Sequence, residues 1–155
     1  MIGLWVFLHL LGMVLWLGGA FASMAAGFSA TRSDRAVGAA AVARLQAALH
    51  VRLIGPGAFL TVLSGLVLTI RIYGATRDGA PGLALVVMQL TGVLAAILVL
   101  FVAVPAASRL ARIEPDGPHA GAFEALRARQ AIVGSIGGVL GLLALLSGAL
   151  VKYPI

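Results

Sequence analysis

Three histidines are the side chains of this sequence best suited to hold a metal or to transfer a proton. His9 lies within a long apolar run, about 10 Å below the membrane surface if that run is a helix. Its imidazole therefore needs a partner: a backbone carbonyl, a polar side chain or a metal. His50 lies at the edge of another apolar run, where an imidazole can rest among lipid headgroups. His119 follows a proline in a polar stretch, and we assign it no role.

Other reactive side chains are scarce. The sequence has no cysteine, which excludes disulfides, thiolate metal sites and cysteine catalysis. No Asp or Glu lies inside any long apolar run, which argues against a carboxylate proton relay or an acidic cation pathway. The sequence also lacks glycine-rich nucleotide motifs and an HExxH zinc motif. The enzyme motifs of soluble proteins are therefore excluded.

The apolar runs that position the histidines define the fold class. Of 155 residues, 61% are hydrophobic and 10% are charged, whereas soluble domains have roughly 45–50% and about 25%. Four runs have the length of a membrane-spanning helix: residues 2–28, 53–70, 83–108 and 131–151. The first run has no Lys or Arg before it and exceeds the length of a signal core, which predicts a permanent helix. We predict an all-α, integral membrane four-helix bundle, with residues 1–155 as one transmembrane domain.

Basic residues indicate the topology of the bundle. Eight of the 11 Lys and Arg residues fall in two of the predicted loops: Arg32, Arg35, Arg44, Arg52, Arg109, Arg112, Arg127 and Arg129. The positive-inside rule places these loops in the cytoplasm and both termini outside (N-out/C-out). Because topology explains the net charge of +6, we expect contact with the lipid bilayer and no nucleic-acid partner.

Two segments shape the second span. Residues 36–50 have helical periodicity and predict an amphipathic helix at the cytoplasmic side that runs on into the span. We expect its apolar face to contain Val42, Leu45 and Leu49, with Arg44 and Gln46 turned away. Pro56, which cannot donate to the carbonyl of Arg52, predicts a kink. The turn residues at 78–82 predict that the second and third spans are antiparallel neighbours.

Small residues four apart predict close helix packing. They occur on the first span, at Gly19, Ser23 and Gly27, and on the fourth, at the pairs Gly134 with Gly138 and Gly137 with Gly141. We expect these rows to carry contacts inside the bundle or to a partner.

Several polar groups lie at a depth that allows them to share a site with His9. The helical rise puts Met88 and Gln89 at the same depth, with Thr69 and Ser147 slightly nearer the surface. His50 should lie about 25 Å farther along the membrane normal. The two histidines cannot then bind one iron, and two bis-histidine haems would need four such ligands.

Three segments carry a resemblance to a known family. Residues 8–19 (LHLLGMVLWLGG), residues 52–66 (RLIGPGAFLTVLSGL) and, more loosely, residues 151–154 (VKYP) resemble the HemJ-type protoporphyrinogen oxidases. They also resemble the copper-resistance-D-like small membrane proteins. In the HemJ-type family the first-helix histidine is associated with b-type haem. The resemblance thus implies that His9 is an axial ligand of haem b in a multi-pass protein of the bacterial cytoplasmic (inner) membrane.

The resemblance suggests roles for the residues around a haem. Gly12 would leave room for the flat macrocycle, Thr69 or a first-helix carbonyl would support the ring nitrogen of His9, and Arg71 or Arg77 would pair with the propionates. The sequence departs from the family at Gln89, where a lysine is usual, and at residues 129–132 (RQAI), where a polar Asn-Glu-Pro segment is usual. The resemblance therefore implies the fold and the haem more directly than it implies protoporphyrinogen oxidation.

Three classes of function remain open from the sequence. The first is a b-type haem protein of redox or porphyrin chemistry, with Met88, Gln89 or no side chain as the sixth ligand. The second is a non-catalytic accessory subunit of a larger respiratory or photosynthetic membrane complex, or a homo-oligomer. The third is a copper-handling protein, since the thioethers of Met13 and Met88 suit Cu(I), although both also fit simple core packing.

Overall fold

The computed structural model describes residues 2–30, 35–73 and 82–152, except the side chains of residues 29, 30, 35–37, 73 and 152. The predicted turn at 78–82 thus lies mostly outside the described residues, as do Arg32 and Arg77. The helices are α1 (Ile2–Ala30), α2 (Arg35–Leu49), α3 (Gly55–Tyr73), α4 (Leu83–Leu98), α5 (Val104–Leu110) and α6 (Ala120–Lys152). π-helical turns join α2 to α3 (His50–Ile54) and α4 to α5 (Val99–Ala103), and a short 3₁₀ turn (Gly117–His119) precedes α6.

Four helical stretches of the described chain are long and apolar enough to cross a membrane. They are Ile2–Phe28, Gly38–Ile72, Leu83–Leu110 and Gly117–Val151. Large apolar side chains cover the outside of the bundle, among them Phe7, Val14 and Phe101. Such a surface suits lipid and not water. The prediction of an all-α four-helix membrane bundle is confirmed.

The first and second spans form a close antiparallel pair. Gly12 and Gly57 meet where α1 and α3 cross, and a Cβ on Gly57 would lie 2.6 Å from the backbone nitrogen of Trp16 and 2.8 Å from the carbonyl oxygen of Gly12. The third and fourth spans pair in the same way, with Gly92 beside Ala144. We call the end of the bundle with the α1–α2 and α5–α6 connections the loop end, and the opposite end the termini end.

The second and third spans contact each other at the termini end. Gln89 Nε2 on α4 donates a hydrogen bond to Thr69 Oγ1 on α3. At the other end Gly55 lies against Val104, so the two contacts run in opposite directions along the two chains and confirm the prediction that these spans are antiparallel neighbours.

The irregularity expected at Pro56 takes the form of a π-helical turn. The N–H of Gly55 donates to the carbonyl of His50, five residues earlier, so the helix runs from α2 into α3 without a break. The third span has a second π-helical turn before Pro105, where the N–H of Val104 donates to the carbonyl of Val99. The two π turns face each other, since a Cβ on Gly55 would lie 3.3 Å from Val104 Cγ2.

The face that α2 turns toward the bundle differs in part from the predicted one. Gln46, expected to point away, donates through Nε2 to the carbonyl oxygen of Ser23 on α1 at 2.9 Å. Ala43 is buried, whereas Leu45, expected on the apolar face, is 50% exposed. Leu49 packs on the core and Arg44 is exposed, both as predicted.

The fourth span begins earlier than predicted. α6 starts at Ala120 and not near residue 131. Its first turns are fixed by Phe123, which is 1% exposed and packs with Ala43 and Leu110. This buried phenylalanine lies within a polar segment, which explains why the predicted start of the span was wrong by about three turns.

The glycine rows have two different roles. On α1, Gly19 lies against Ile54, and Gly27 lies against Gln46, so this row packs inside the bundle as predicted. On α6, Gly141 contacts Leu17, but nothing lies within 4 Å of a Cβ built on Gly134 or Gly138. Gly134 and Gly138 therefore make no such packing contact within the described chain, and the alternative, a contact to a partner, stays a prediction.

Candidate functional site

His9 is held by the backbone of α3. Its Nδ1 lies 2.9 Å from the carbonyl oxygen of Thr61. Because a carbonyl only accepts, Nδ1 carries the hydrogen and donates it, which leaves the lone pair of the neutral imidazole on Nε2. Of the partners that the sequence left open for this ring, the structure thus provides a backbone carbonyl. It comes from Thr61, and not from Thr69 or from α1.

The local sequence of α3 makes room for this imidazole. A Cβ on Gly65 would lie 3.0 Å from His9 Cε1, so a larger residue here would displace the ring by a few tenths of an ångström. Ser64 is fully buried; its hydroxyl donates to the carbonyl of Leu60, and its oxygen lies 3.3 Å from His9 Nδ1, where it can accept. We call Thr61, Ser64 and Gly65 the His9 seat.

Thr69 and Gln89 form a second polar contact next to the His9 seat. Thr69 Oγ1 donates to the carbonyl of Gly65 at 2.9 Å and accepts from Gln89 Nε2 at 2.7 Å. Both residues therefore lie one turn or more beyond His9 toward the termini end. Thr69 and Gln89 bond to each other, whereas His9 bonds to Thr61 and Ser64, so a site shared by all three stays a prediction.

Two other predicted site residues point elsewhere. Met88 lies against α6, where a Cβ on Gly148 would be 3.0 Å from its sulfur. Arg71 is exposed near the end of α3. Arg77 lies outside the described residues. Of the predicted set, Thr69 and Gln89 thus bond to each other, and Met88 packs elsewhere, against α6.

The space expected beside Gly12 is occupied. A Cβ on Gly12 would lie 2.7 Å from the backbone nitrogen of Thr61 and 2.9 Å from the carbonyl oxygen of Gly57. Gly12 therefore serves the crossing of α1 and α3. The expectation that it leaves room for a macrocycle is wrong.

A cavity of about 670 Å³ lies at the loop end. We call it the loop-end cavity; its walls come from α1, α2, both π turns and α6. His50 lines it and is buried, with Nδ1 2.8 Å from the carbonyl oxygen of Gln46. The expectation that His50 rests among headgroups is therefore wrong.

Gln130 also lines the loop-end cavity. It is 7% exposed, and its Oε1 has no hydrogen-bond partner within the described part of the chain. Sequence reasoning missed this residue as a site because Gln130 stands next to Arg129, at what was expected to be the solvated start of the fourth span.

Across residues 2–30, 35–73 and 82–152, no three His, Asp or Glu side chains come together in a way that could hold a metal ion. Each of the two buried or half-buried imidazoles is instead fixed singly, through Nδ1, by a backbone carbonyl.

The sequence matches no protein-family profile, and no curated protein or solved structure is significantly similar to it. The fold and the polar contacts define its class as a multi-pass helical membrane protein with imidazoles fixed inside the bundle.

Proposed function

We propose that this chain is a b-type haem-binding protein of the bacterial cytoplasmic membrane, with His9 Nε2 as an axial ligand. The hydrogen bond from His9 Nδ1 to the carbonyl of Thr61, 2.9 Å long, is the observation that supports the proposal most strongly. Histidines that bind metals almost always donate their other ring N–H to such an acceptor. That bond fixes the tautomer and the ring plane, and it keeps Nε2 available.

The chain's own residues would orient and shield the group. Thr61 and Ser64 hold the imidazole, and Gly65 lets it approach α3 closely. When bound, haem supplies one-electron redox chemistry through its iron. Arg71 lies ten residues beyond Thr61 on the same helix, about 15 Å nearer the membrane surface, and could donate to the propionates.

We propose His9 as the one side chain that ligates the iron. Gln89 is engaged with Thr69, and Met88 packs against Gly148. A single imidazole ligand predicts a spectrum of the high-spin type, and Met88→Leu should leave that spectrum unchanged.

Absorption spectra of the purified protein, oxidised and then reduced with dithionite, test the proposal. We expect a Soret band in the wild type and none in His9→Ala, while His50→Ala and the exposed-site control His119→Ala keep most of it. Adding free imidazole to His9→Gly should restore the band, because the added ring can occupy the vacated seat.

Two results would contradict the haem proposal. One is haem retained at wild-type stoichiometry in His9→Ala. The other is a wild-type protein that contains no haem although the expressing cells are supplied with it in excess.

A further inference from the structure

The loop-end cavity is reached from the lipid side of the bundle. Its rim includes exposed apolar side chains of α1, Phe21 and Met24, and of α6, Val139 and Leu142. α1 and α6 touch each other little, because α1 packs mainly on α3 and α6 mainly on α4. A molecule dissolved in the bilayer can therefore enter between α1 and α6 without crossing water.

The buried polar groups of this cavity present hydrogen-bond acceptors. Gln130 Oε1 is buried and has no partner among the described residues. His50 donates its Nδ1 hydrogen to the carbonyl of Gln46, so the Nε2 of its neutral ring can only accept. The amide of Gln46 is already used by the carbonyl of Ser23. Buried acceptors of this kind are rarely left without a donor.

The walls of the cavity are shaped to leave space. Both π turns contribute to them, through His50 and Ile54 on one side and Val99 and Ala103 on the other. π-helical turns are frequent at functional sites. On α6, Gly134 and Gly138 line the cavity and have nothing within 4 Å of a built Cβ. The volume of about 670 Å³ lies within the usual range of small-molecule sites, roughly 300–1,000 Å³.

We propose that the loop-end cavity binds a lipid-soluble molecule whose polar head is a hydroxyl group. The hydroxyl donates to Gln130 Oε1, and the apolar body lies between α1 and α6. Arg127, the cation that lines the cavity, lies 3.6 Å from the carboxylate of Glu124. Because its charge is paired there, we expect the polar head of the ligand to be uncharged. The head can be a phenol or an aliphatic alcohol, which share this donor.

Binding of tritiated para-decylphenol to the protein in lipid nanodiscs, followed by scintillation proximity, tests the proposal. We expect saturable binding and displacement by unlabelled para-decylphenol. Its methyl ether, para-decylanisole, lacks the donor and should displace the probe on the order of five- to tenfold more weakly, the effect of one hydrogen bond. Displacement by hexadecanol as effective as by the phenol would assign the natural head to aliphatic alcohols, and weaker displacement would assign it to phenols.

Two variants locate the site. Gln130→Leu removes the acceptor and should abolish the preference for the phenol over its ether. Gly138→Leu fills the cavity and should abolish binding altogether, whereas the matched control Gly3→Leu, also in open space on a helix, should bind normally. Because open space surrounds Gly138, the Gly138→Leu protein should fold. Its binding measurement therefore tests the proposal even if the Gln130→Leu protein does not fold.

Equal displacement by the phenol and its ether in the wild type would overturn the proposal, as would undiminished binding in Gly138→Leu or no saturable binding at all. The cavity shares no residue with the His9 seat. Haem content and probe binding therefore report on different sites, and either proposal can fail alone.

Discussion

At the scale of single residues, the polar groups of the His9 seat act through the backbone. His9 lies half-buried against a helix whose carbonyl at Thr61 accepts its hydrogen, and the glycine at residue 65 leaves room for this close contact. From the sequence, an imidazole in an apolar run predicts that a partner exists. It does not identify that partner, because a backbone carbonyl is present at every position and the choice depends on how two helices cross.

Replacing Gly57 with Ala should destabilise the bundle. The new methyl group would lie 2.6 Å from the Trp16 nitrogen and 2.8 Å from the Gly12 oxygen, and neither backbone atom can move without separating α1 from α3. We expect a loss of about 1–3 kcal/mol in the free energy of unfolding, typical of overpacking, measured by denaturant titration in mixed micelles.

Gly18→Ala is the control for Gly57→Ala, because nothing lies within 4 Å of a Cβ at Gly18. It should leave the stability unchanged or raise it slightly. If the two variants unfolded at the same denaturant concentration, the close crossing at Gly12 and Gly57 would not be the contact that holds the first two spans together.

At the scale of elements, the π turns rotate one part of a span relative to the next. The N–H of Gly55 reaches back five residues to His50, so a periodicity of 3.6 residues does not carry across the turn. The helix α2 and its continuation into the span were predicted correctly, as was the inward side of Leu49, whereas Leu45 and Gln46 were assigned to the wrong sides. Pro56 signalled an irregularity, but proline alone does not distinguish a kink from a π turn.

Replacing Phe123 with Ala should detach the first turns of α6. This ring is 1% exposed and forms the loop-end cluster with Ala43 and Leu110. A loss of about 3–5 kcal/mol is expected for a buried phenylalanine. Hydrogen exchange should show lost protection at residues 120–130, with protection of the later turns retained.

Phe7→Ala is the control for Phe123→Ala. Phe7 is exposed on the outside of α1, so its removal leaves the packing of α6 unchanged. Exchange rates at residues 120–130 that are the same in the two variants would show that Phe123 does not anchor this segment.

At the scale of the whole molecule, two of the spans are longer than the hydrocarbon core is thick, and they extend beyond it at one end of the bundle. The spans Gly38–Ile72 and Gly117–Val151 have 35 residues each, about 50 Å of helix, whereas the hydrocarbon core is about 30 Å thick. The excess lies at the loop end, where most of the described basic residues also lie: Arg44, Arg52, Arg109, Arg112, Arg127 and Arg129. We expect this end to face the cytoplasm, in contact with anionic lipid headgroups.

Cysteine labelling in intact cells tests this topology. The sequence has no native cysteine, so single substitutions report without background. Gly82→Cys, at the exposed start of α4, should react with a membrane-impermeant maleimide, and His119→Cys, in the exposed turn before α6, should react only after the cells are opened. The reverse pattern would place both termini in the cytoplasm.

The sequence predicted the fold more completely than it predicted the sites. Apolar runs of spanning length have few solutions in a bilayer, because every backbone group must be satisfied within a helix. The loop-end cavity has no such signature, since it depends on two π turns and on glycines at 134 and 138 that face space and not a neighbour. Gln130 and His50 are 80 positions apart in the sequence, and only the fold places both in the wall of one cavity.

The paired π turns also bear on how distant relatives would diverge. A π turn contains one residue more than an α turn, so deleting one residue within His50–Ile54 or Val99–Ala103 would restore ordinary helix and leave the flanking segments in their places. Because the two turns lie against each other, a deletion in one span would favour a matching deletion in the other. Homologous chains can therefore differ by single-residue gaps in the middle of two membrane helices while keeping the same architecture.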